Sequence, residues 1–168
     1  MLACVDVDYR GDRVVSACVE FAQWTDAVSS NELVIVREGI AAEYAPGEFY
    51  RRELPYVLDV LQPLGTRLEL AIVDGYVWLG PGRRGLGAYV HDALAIPVIG
   101  IAKSPFAGAE AIEVMRGTST RPLYVTANGI DSQVAAEHVR MMHGEFRLPT
   151  LLTRVDQLAR GLVNPSHR

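Results

Sequence analysis

The sequence predicts an α/β fold in which a mixed β-sheet is covered by helices on both faces. Short apolar runs recur along the 168-residue chain and are typical of buried strands. Segments with helical periodicity alternate with the later runs, which indicates crossover connections between parallel strands. The first three runs are separated only by short polar segments, as in antiparallel hairpins, so both strand directions are expected in one sheet.

The N-terminal part of the chain predicts three consecutive antiparallel strands. Residues 2–9 and 13–22 are rich in apolar and β-branched residues, and the glycine-containing turn 10–12 joins them as a hairpin. Residues 32–37 give the third strand. These strands form the antiparallel half of the predicted sheet.

Helices and strands alternate through the rest of the chain. Residues 48–63 predict a helix, because apolar side chains recur on one stripe and prolines bracket the segment. The later elements are a strand at 68–74, a glycine-rich loop at 79–85, a helix at 86–94, strands at 97–102 and 122–126, and helices at 132–142 and 151–163. This order is that of a ribonuclease-H-like fold, in a single domain spanning 1–168.

Composition and charge indicate where the protein is expected to work and how it could meet nucleic acid. No apolar stretch approaches the roughly 20 residues of a membrane span, and Met1 leads directly into a strand rather than a signal peptide. Cys4 and Cys18 resemble small buried hydrophobic residues, so a reducing, cytoplasmic setting is expected. The net charge of −4 provides no general attraction to nucleic acid. Binding of a polyanion such as nucleic acid would therefore depend on a local patch of arginines, or on acidic residues whose charge a metal neutralises.

Four carboxylates occupy positions where a fold does not need them. Asp6 interrupts the apolar run 2–7, and Asp74 closes another run. An ionised aspartate at the core end of a strand is costly unless its charge is compensated, and a divalent metal would compensate both. Glu53 borders the apolar stripe of its helix, and Asp156 has Leu152 one turn away on a packing face. All four could converge at one end of the sheet.

The same carboxylates have simpler interpretations that spacing alone leaves open. Glu53 can pair with Arg52 on a solvated helix face, and Asp156 can pair with Arg160 one turn later. The two strand-end aspartates can belong to turns, since aspartate before glycine is a frequent turn signal.

The donor set predicts the type of ion. Carboxylate oxygens suit Mg²⁺, with Mn²⁺ as an alternative, and no His/Cys spacing supports zinc. Fifteen of the sixteen basic residues are arginine, and the remaining one, Lys103, ends an apolar run. Lys103 could stabilise charge that develops during phosphodiester cleavage. The alternative is chance, because an arginine-rich composition often marks only a GC-rich coding sequence.

Several motifs occur in a common order along the chain. They are Asp6-x-x-Tyr9, Tyr44-x-Pro46-Gly47, Arg52-Glu53-Leu54-Pro55, Val73-Asp74-Gly75, Pro97-x-Ile99-Gly100-Ile101-Ala102-Lys103, Pro122-Leu123-Tyr124-Val125, Arg147-Leu148-Pro149 and Thr153-Arg154-x-Asp156. Together they resemble the Endonuclease V family over roughly residues 5–160. The resemblance implies a Mg²⁺-dependent endonuclease that hydrolyses a phosphodiester of DNA or RNA near a deaminated purine such as inosine.

The resemblance also implies roles for individual residues. Asp6, Glu53 and Asp74 would be metal ligands, Asp156 would support them or bind a second metal, and Lys103 would be the catalytic lysine. The segment Tyr44-Ala45-Pro46 would be the wedge that opens a duplex beside a flipped base. A monomer is assumed.

Departures from the family pattern cluster in the region expected to recognise the base. Val77 replaces a glycine that lets a base approach the backbone, Gly80 stands where a histidine is expected, and Tyr89 replaces a second histidine. The wedge also has Ala45 in place of a larger aliphatic residue. Metal chemistry is therefore expected to be retained, with base recognition altered.

Two aromatic residues beside Gly75 are further candidates for nucleic-acid contacts. Tyr76 and Trp78, next to Arg83 and Arg84, could supply stacking and phosphate contacts. They could equally be core or rim aromatics of a glycine-rich turn. Two other functions stay open at this point: a nucleic-acid-binding relative that has lost efficient cleavage, and a metal-dependent phosphohydrolase of small nucleotides.

Overall fold

A computed structural model describes residues 1–38 and 49–166 and shows a mixed sheet with helices packed on both faces. The strands are β1 (Leu2–Arg10), β2 (Arg13–Phe21), β3 (Asn31–Glu38), β4 (Leu70–Asp74), β5 (Trp78–Gly80), β6 (Arg83–Arg84), β7 (Val98–Ala102), β8 (Ile112–Val114) and β9 (Leu123–Asn128). The helices are α1 (Phe49–Leu61), α2 (Leu86–Leu94), α3 (Ser132–Met141) and α4 (Thr150–Ala159), and a 3₁₀ helix follows α1 at Gln62–Arg67.

The main sheet has the order β3-β2-β1-β4-β7-β9-β8 in the described residues. Strands β1, β4 and β7 are parallel neighbours at its centre. Antiparallel strands complete both sides: β2 pairs with β1 and β3 with β2, and β9 pairs with β7 and β8 with β9. The carboxyl ends of the three central strands therefore meet at one edge, where α/β sheets commonly place their functional residues.

Alternation along the central strands divides the core into two layers. In β1, Leu2 and Cys4 pack with α3 and α4, whereas Ala3 and Val5 pack with α1 and α2. Full burial of a large aliphatic side chain stabilises the fold by about 1.5–3 kcal/mol, so both layers contribute substantially. Both cysteines are buried and unpaired, and Cys18 lies in the layer opposite Cys4.

The fold predicted from the sequence is confirmed, with changes at short elements. The predicted loop 79–85 contains the two-stranded β5–β6 ribbon, and the edge strand β8 was not predicted. The long helix predicted at 48–63 becomes α1 followed by a 3₁₀ turn, and the last helix ends at Ala159 rather than at residue 163. These differences lie where only two or three residues pair or where a helix ends.

A buried ion pair fastens the last helix to the edge of the sheet. Arg154 of α4 donates from Nε to Oε1 and from Nη2 to Oε2 of Glu32, both at 2.8 Å. Ser29 and the main-chain N–H of Ser166 also donate to this carboxylate. These donors lower the pKa of Glu32 to about 2, with the Arg154 hydrogen bonds as the main cause. The pair joins β3, α4 and the segment after α4.

None of the helices in the described residues is sufficiently long and apolar to span a bilayer.

Candidate metal centre

Asp6 and Asp74 lie next to each other because β1 and β4 are parallel neighbours in register. Val5 is opposite Val73, so the residue that follows each valine leaves the core at the same edge. Lys103 directly follows β7, the strand that pairs with β4 on its other side. The apolar residues two positions earlier pack in the layer beneath α3 and α4; they are Cys4, Ile72 and Ile101. Alternation therefore directs all three polar side chains toward that layer.

Two adjoining pockets share Asp6 and Asp74 among their lining residues. Lys103 and Asp156 line the first pocket, on the side of α4. Glu53 lines the second, on the side of α1 and α2. The structure thus gathers the five predicted catalytic residues around one end of the central strands. We call Asp6, Glu53, Asp74 and Asp156, with Lys103, the carboxylate site.

The carboxylates in this site repel one another in a poorly solvated setting. Burial, followed by repulsion from Asp74, raises the pKa of Asp6 to about 6. Burial, followed by repulsion from Asp6 and Asp74, raises the pKa of Glu53 to about 8. A shared cation would relieve this repulsion and favour the ionised forms.

Lys103 supplies one positive charge to the site. Its Nζ donates to Oδ2 of Asp74 at 2.8 Å. Burial opposes its charge, but attraction to Asp74, Asp6 and Asp156 raises the pKa of Lys103 above its ordinary value. Lys103 is therefore an ammonium group at neutral pH.

Asp156 has two neighbours at once. It pairs with Arg160 at 3.1 Å, as expected for an ordinary helix-surface pair, and it also lines the pocket that contains Lys103. It contributes to the repulsion felt by Asp6. Both interpretations of Asp156 from the sequence thus describe part of its surroundings.

The donor chemistry of this site fits a hard divalent cation. Four carboxylates line two adjoining pockets, and Lys103 is the one basic side chain among the lining residues of these pockets. In residues 1–38 and 49–166, however, no group of three or more His, Cys, Asp or Glu side chains has the spacing needed to hold a metal ion. The carboxylates therefore line the two pockets without forming a ligand cluster, and binding of an ion would require some of these side chains to draw together.

Two residues beside Glu53 were not assigned a role from the sequence. The guanidinium carbon of Arg52 lies 3.8 Å from the centre of the Tyr9 ring, and the Tyr9 hydroxyl donates to the carbonyl of Arg52 at 3.2 Å. Attraction to Arg52 opposes the rise in the pKa of Glu53. The sequence signal for both residues was that Tyr9 and Arg52 each belong to a motif on which the resemblance to the Endonuclease V family rests.

Arg147 is a third residue that sequence reasoning left without a role. Its guanidinium group donates to the carbonyl of Lys103 and to the carbonyl of Pro122. It therefore holds the main chain from which the Lys103 side chain projects. The adjacent Leu148 lines the same pocket as Asp156.

The histidines described by the structure have partners outside the carboxylate site. Nδ1 of His91 is 2.7 Å from the carbonyl of Ile96, and His138 stacks on Trp24. His143 hydrogen-bonds Thr150.

The predicted nucleic-acid contacts have different outcomes. Tyr44, Ala45 and Pro46 lie outside the described residues, so the wedge stays a prediction. Gly75 follows β4 with a φ of +117°, a conformation that favours glycine. It directly follows Asp74 and so lies at the edge of the carboxylate site.

Tyr76 and Trp78 are held by the fold. Tyr76 is only 9% exposed, and its hydroxyl donates to the carbonyl of Ser104 at 2.8 Å. The indole N–H of Trp78 donates to the carbonyl of Ala127 at 3.2 Å. These placements favour the interpretation of both as core or rim aromatics. Little of the Tyr76 ring is open to a base, so its stacking role stays a prediction.

Comparison with known proteins identifies the family. The family model described as Endonuclease V matches residues 1–124. The chain belongs to the Endonuclease V family.

The relatives support this assignment over most of the chain. Endonuclease V of Streptomyces coelicolor is 32% identical, over 95% of this chain and 77% of its own length. The crystal structure of Endonuclease V from Streptomyces avermitilis has a TM-score of 0.77 at 29% identity, covering 96% of this chain and 80% of that one. Endonuclease V of Ciona intestinalis, crystallised with a DNA that contains an inosine, shares the fold with a TM-score of 0.79, at 16% identity and over 96% of this chain and 84% of that one.

Two departures from the Endonuclease V pattern, at Val77 and Gly80, are fixed by packing against neighbouring residues. Val77 is fully buried, and its N–H donates to Oγ1 of Thr126 at 2.8 Å. A side chain at Gly87 would lie 2.6 Å from Cγ2 of Val77, so the valine occupies the space above that glycine. At Gly80, φ is +140°, and a Cβ would lie 2.9 Å from the carbonyl of Gly108. The expected histidine would not fit the backbone at position 80.

Proposed function

We propose that this protein is a metal-dependent endonuclease that hydrolyses a phosphodiester in nucleic acid near a deaminated, inosine-type or otherwise altered base. The observation that carries the proposal is the meeting of Asp6 and Asp74 where the parallel pairing of β1 and β4 ends, beside Lys103. Membership of the Endonuclease V family supports the reaction class. The inosine-containing DNA bound by the Ciona intestinalis relative supports the type of lesion.

Asp6, Glu53 and Asp74 would hold Mg²⁺ or Mn²⁺, with Asp156 supporting them from α4. The bound ion would supply an activated water and stabilise charge on the phosphate. The elevated pKa values of Asp6 and Glu53 fit this role, because they reflect a surplus of negative charge that a cation would balance. Lys103 would stabilise negative charge on the phosphate oxygens as the phosphodiester is cleaved.

Base recognition is proposed to differ from that of typical relatives. Val77 fills space beside Gly87 with a branched side chain, and the backbone at Gly80 leaves no room for the expected histidine. Both changes lie in the segment that follows Asp74. The expected consequence is a relaxed or altered preference for the base.

Cleavage assays test the proposal directly. Labelled DNA and RNA oligonucleotides, each with and without inosine, would be incubated with Mg²⁺ or Mn²⁺. Cleavage of oligonucleotides that requires the metal is the expected result. Tight binding without products under both metals would contradict the proposal and favour a binding protein. Turnover of free nucleotides alone would contradict it in favour of a small-molecule phosphohydrolase.

The substitution Lys103→Arg is expected to lower turnover by roughly a hundredfold, the scale of losing one preorganised charge donor. Arginine keeps the charge, but its planar fork cannot place a donor where Nζ now lies 2.8 Å from Asp74. Single-turnover cleavage rates would measure the change. Lys103→Met provides the reference for complete loss of the ammonium group, and wild-type turnover in Lys103→Arg would show that the lysine is incidental.

Metal affinity is expected to rise with pH between about 6 and 8. Below these values Asp6 and Glu53 hold protons, which must leave before a cation can bind. Because both pKa values are raised from the ordinary 3.8 and 4.5, the fold without metal loses stability as pH increases from about 4 to about 8. Thermal unfolding should therefore show a larger Mg²⁺-induced rise in Tm at pH 8.5 than at pH 6. An equal rise at both pH values would contradict the assignment.

A further inference from the structure

The structure gives Arg83 and Arg84 aromatic partners that differ from those expected. The guanidinium carbon of Arg84 lies 5.2 Å from the ring centre of Tyr89, and that of Arg83 lies 5.7 Å from the ring centre of Phe106. Tyr76, by contrast, is buried. The ribbon β5–β6 thus presents two arginines to two other rings.

The first of these pairs extends onto α1. Tyr89 stacks on Tyr50 with ring centres 3.7 Å apart and an angle of 10° between the planes. Tyr50 lies three residues before Glu53, and Tyr89 lies three residues after Leu86, which lines the same pocket as Glu53. Since residues three apart are neighbours on a helix surface, the tyrosine pair borders the carboxylate site.

The second pair lies on the other side of the site. Phe106 follows Lys103 by three residues and is 40% exposed. It contacts Tyr76, whose hydroxyl is fixed to Ser104 just after Lys103. One cation–aromatic pair therefore borders Glu53, and the other borders Lys103.

The arginines on this surface can give up their present partners to contact a phosphate. Arg84 pairs with Asp92, but both side chains are substantially exposed, and such surface pairs contribute little to stability. The chain as a whole is acidic, with a net charge of −4. Two consecutive arginines beside partly exposed rings are therefore a local feature. They match the chemistry of single-strand binding, in which guanidinium groups contact phosphates and rings stack on bases.

We propose that Tyr89, Tyr50 and Phe106, with Arg83 and Arg84, form a binding track for unpaired nucleotides that flank the phosphodiester to be cleaved. Bases would stack at the two aromatic positions while the arginines contact the phosphates between them. The inference rests on the proposed function, because the track is placed beside the proposed cleavage site. It concerns whether the flanking strand is unpaired or paired, and not which base is altered. It predicts that substrates with unpaired flanking nucleotides bind more tightly than blunt, fully paired ones.

Binding measured without metal tests the track separately from cleavage. Fluorescence anisotropy in EDTA would compare the wild type, Tyr89→Ala and Phe106→Ala on short single-stranded and fully paired oligonucleotides. Each variant is expected to lose about tenfold in affinity for the single strand, within the range for removal of one stacked base. The paired oligonucleotide should be affected much less. DNA and RNA versions would show which sugar the track accepts.

A matched control separates stacking from general effects. Phe146→Ala removes an even more exposed aromatic ring, 72% accessible, whereas Arg83 and Arg84 lie over the other two rings, so this change should leave affinity unchanged. Tyr89→Phe keeps the ring and should bind like the wild type, which guards against loss of folding in Tyr89→Ala. Unchanged affinity in Tyr89→Ala and Phe106→Ala would overturn the track, as would an equal loss in Phe146→Ala. Binding that depends on the track without any cleavage would instead overturn the proposed function.

Discussion

The substitution Asp74→Asn is expected to reduce the cleavage rate by about a thousandfold. Asp74 lies between the two pockets, pairs with Lys103 at 2.8 Å and raises the pKa values of both Asp6 and Glu53. Asparagine keeps the shape but removes the charge that a cation requires. A loss of about 4 kcal/mol of transition-state stabilisation corresponds to this factor.

Single-turnover cleavage at saturating Mg²⁺ would measure the effect. Asp12→Asn is the matched control, because Asp12 is exposed in the β1–β2 turn. This variant should cleave at the wild-type rate. Asp74→Asn also removes repulsion, so its thermal stability without metal should equal or exceed that of the wild type. A variant that folds and cleaves normally would show that the carboxylate site is not the active site.

The substitution Arg154→Met is expected to have the largest effect on stability, about 3 kcal/mol, because it leaves Glu32 buried without its partner. Glu32 is 4% exposed and accepts two hydrogen bonds from Arg154. For a chain of this length the loss corresponds to a fall in Tm of roughly 10 °C. Arg140→Met, which breaks an exposed pair with Glu137, should change Tm little.

The pH dependence provides an independent check. The pKa of Glu32 is lowered to about 2 in the folded protein, so its stabilising effect is present above about pH 4.3 and is lost as pH falls toward 2. The difference between wild type and Arg154→Met should therefore be large at neutral pH and should shrink in acid. A constant difference across this range would contradict the assigned role of the ion pair.

The sequence predicted those features that depend on local pattern. Alternating and continuous apolar runs identified the six longer strands of the sheet, and the interruption or end of such a run singled out Asp6 and Asp74. The short pairings of β5, β6 and β8 were missed because two or three residues carry no readable periodicity.

Features that depend on distant partners were not accessible from the sequence. Glu32 and Arg154 are 122 positions apart, and Arg147 contacts the Lys103 carbonyl 44 positions away. Likewise, the turn composition around Tyr76 did not show that its ring is buried while Phe106 is exposed. In each case the contact arises from sheet order and helix docking rather than from spacing along the chain.

The docking of α4 also determines the order in which parts of the fold can be completed during synthesis. This helix supplies Asp156 to the pocket that contains Lys103 and Arg154 to the edge strand, whereas Asp6 belongs to β1, far earlier in the chain. A growing polypeptide that has not yet released residues 150–159 from the ribosome therefore lacks one wall of this pocket and the anchor of β3. The carboxylate site is complete only after α4 has been made and has docked, which joins early and late parts of the chain into one folding unit.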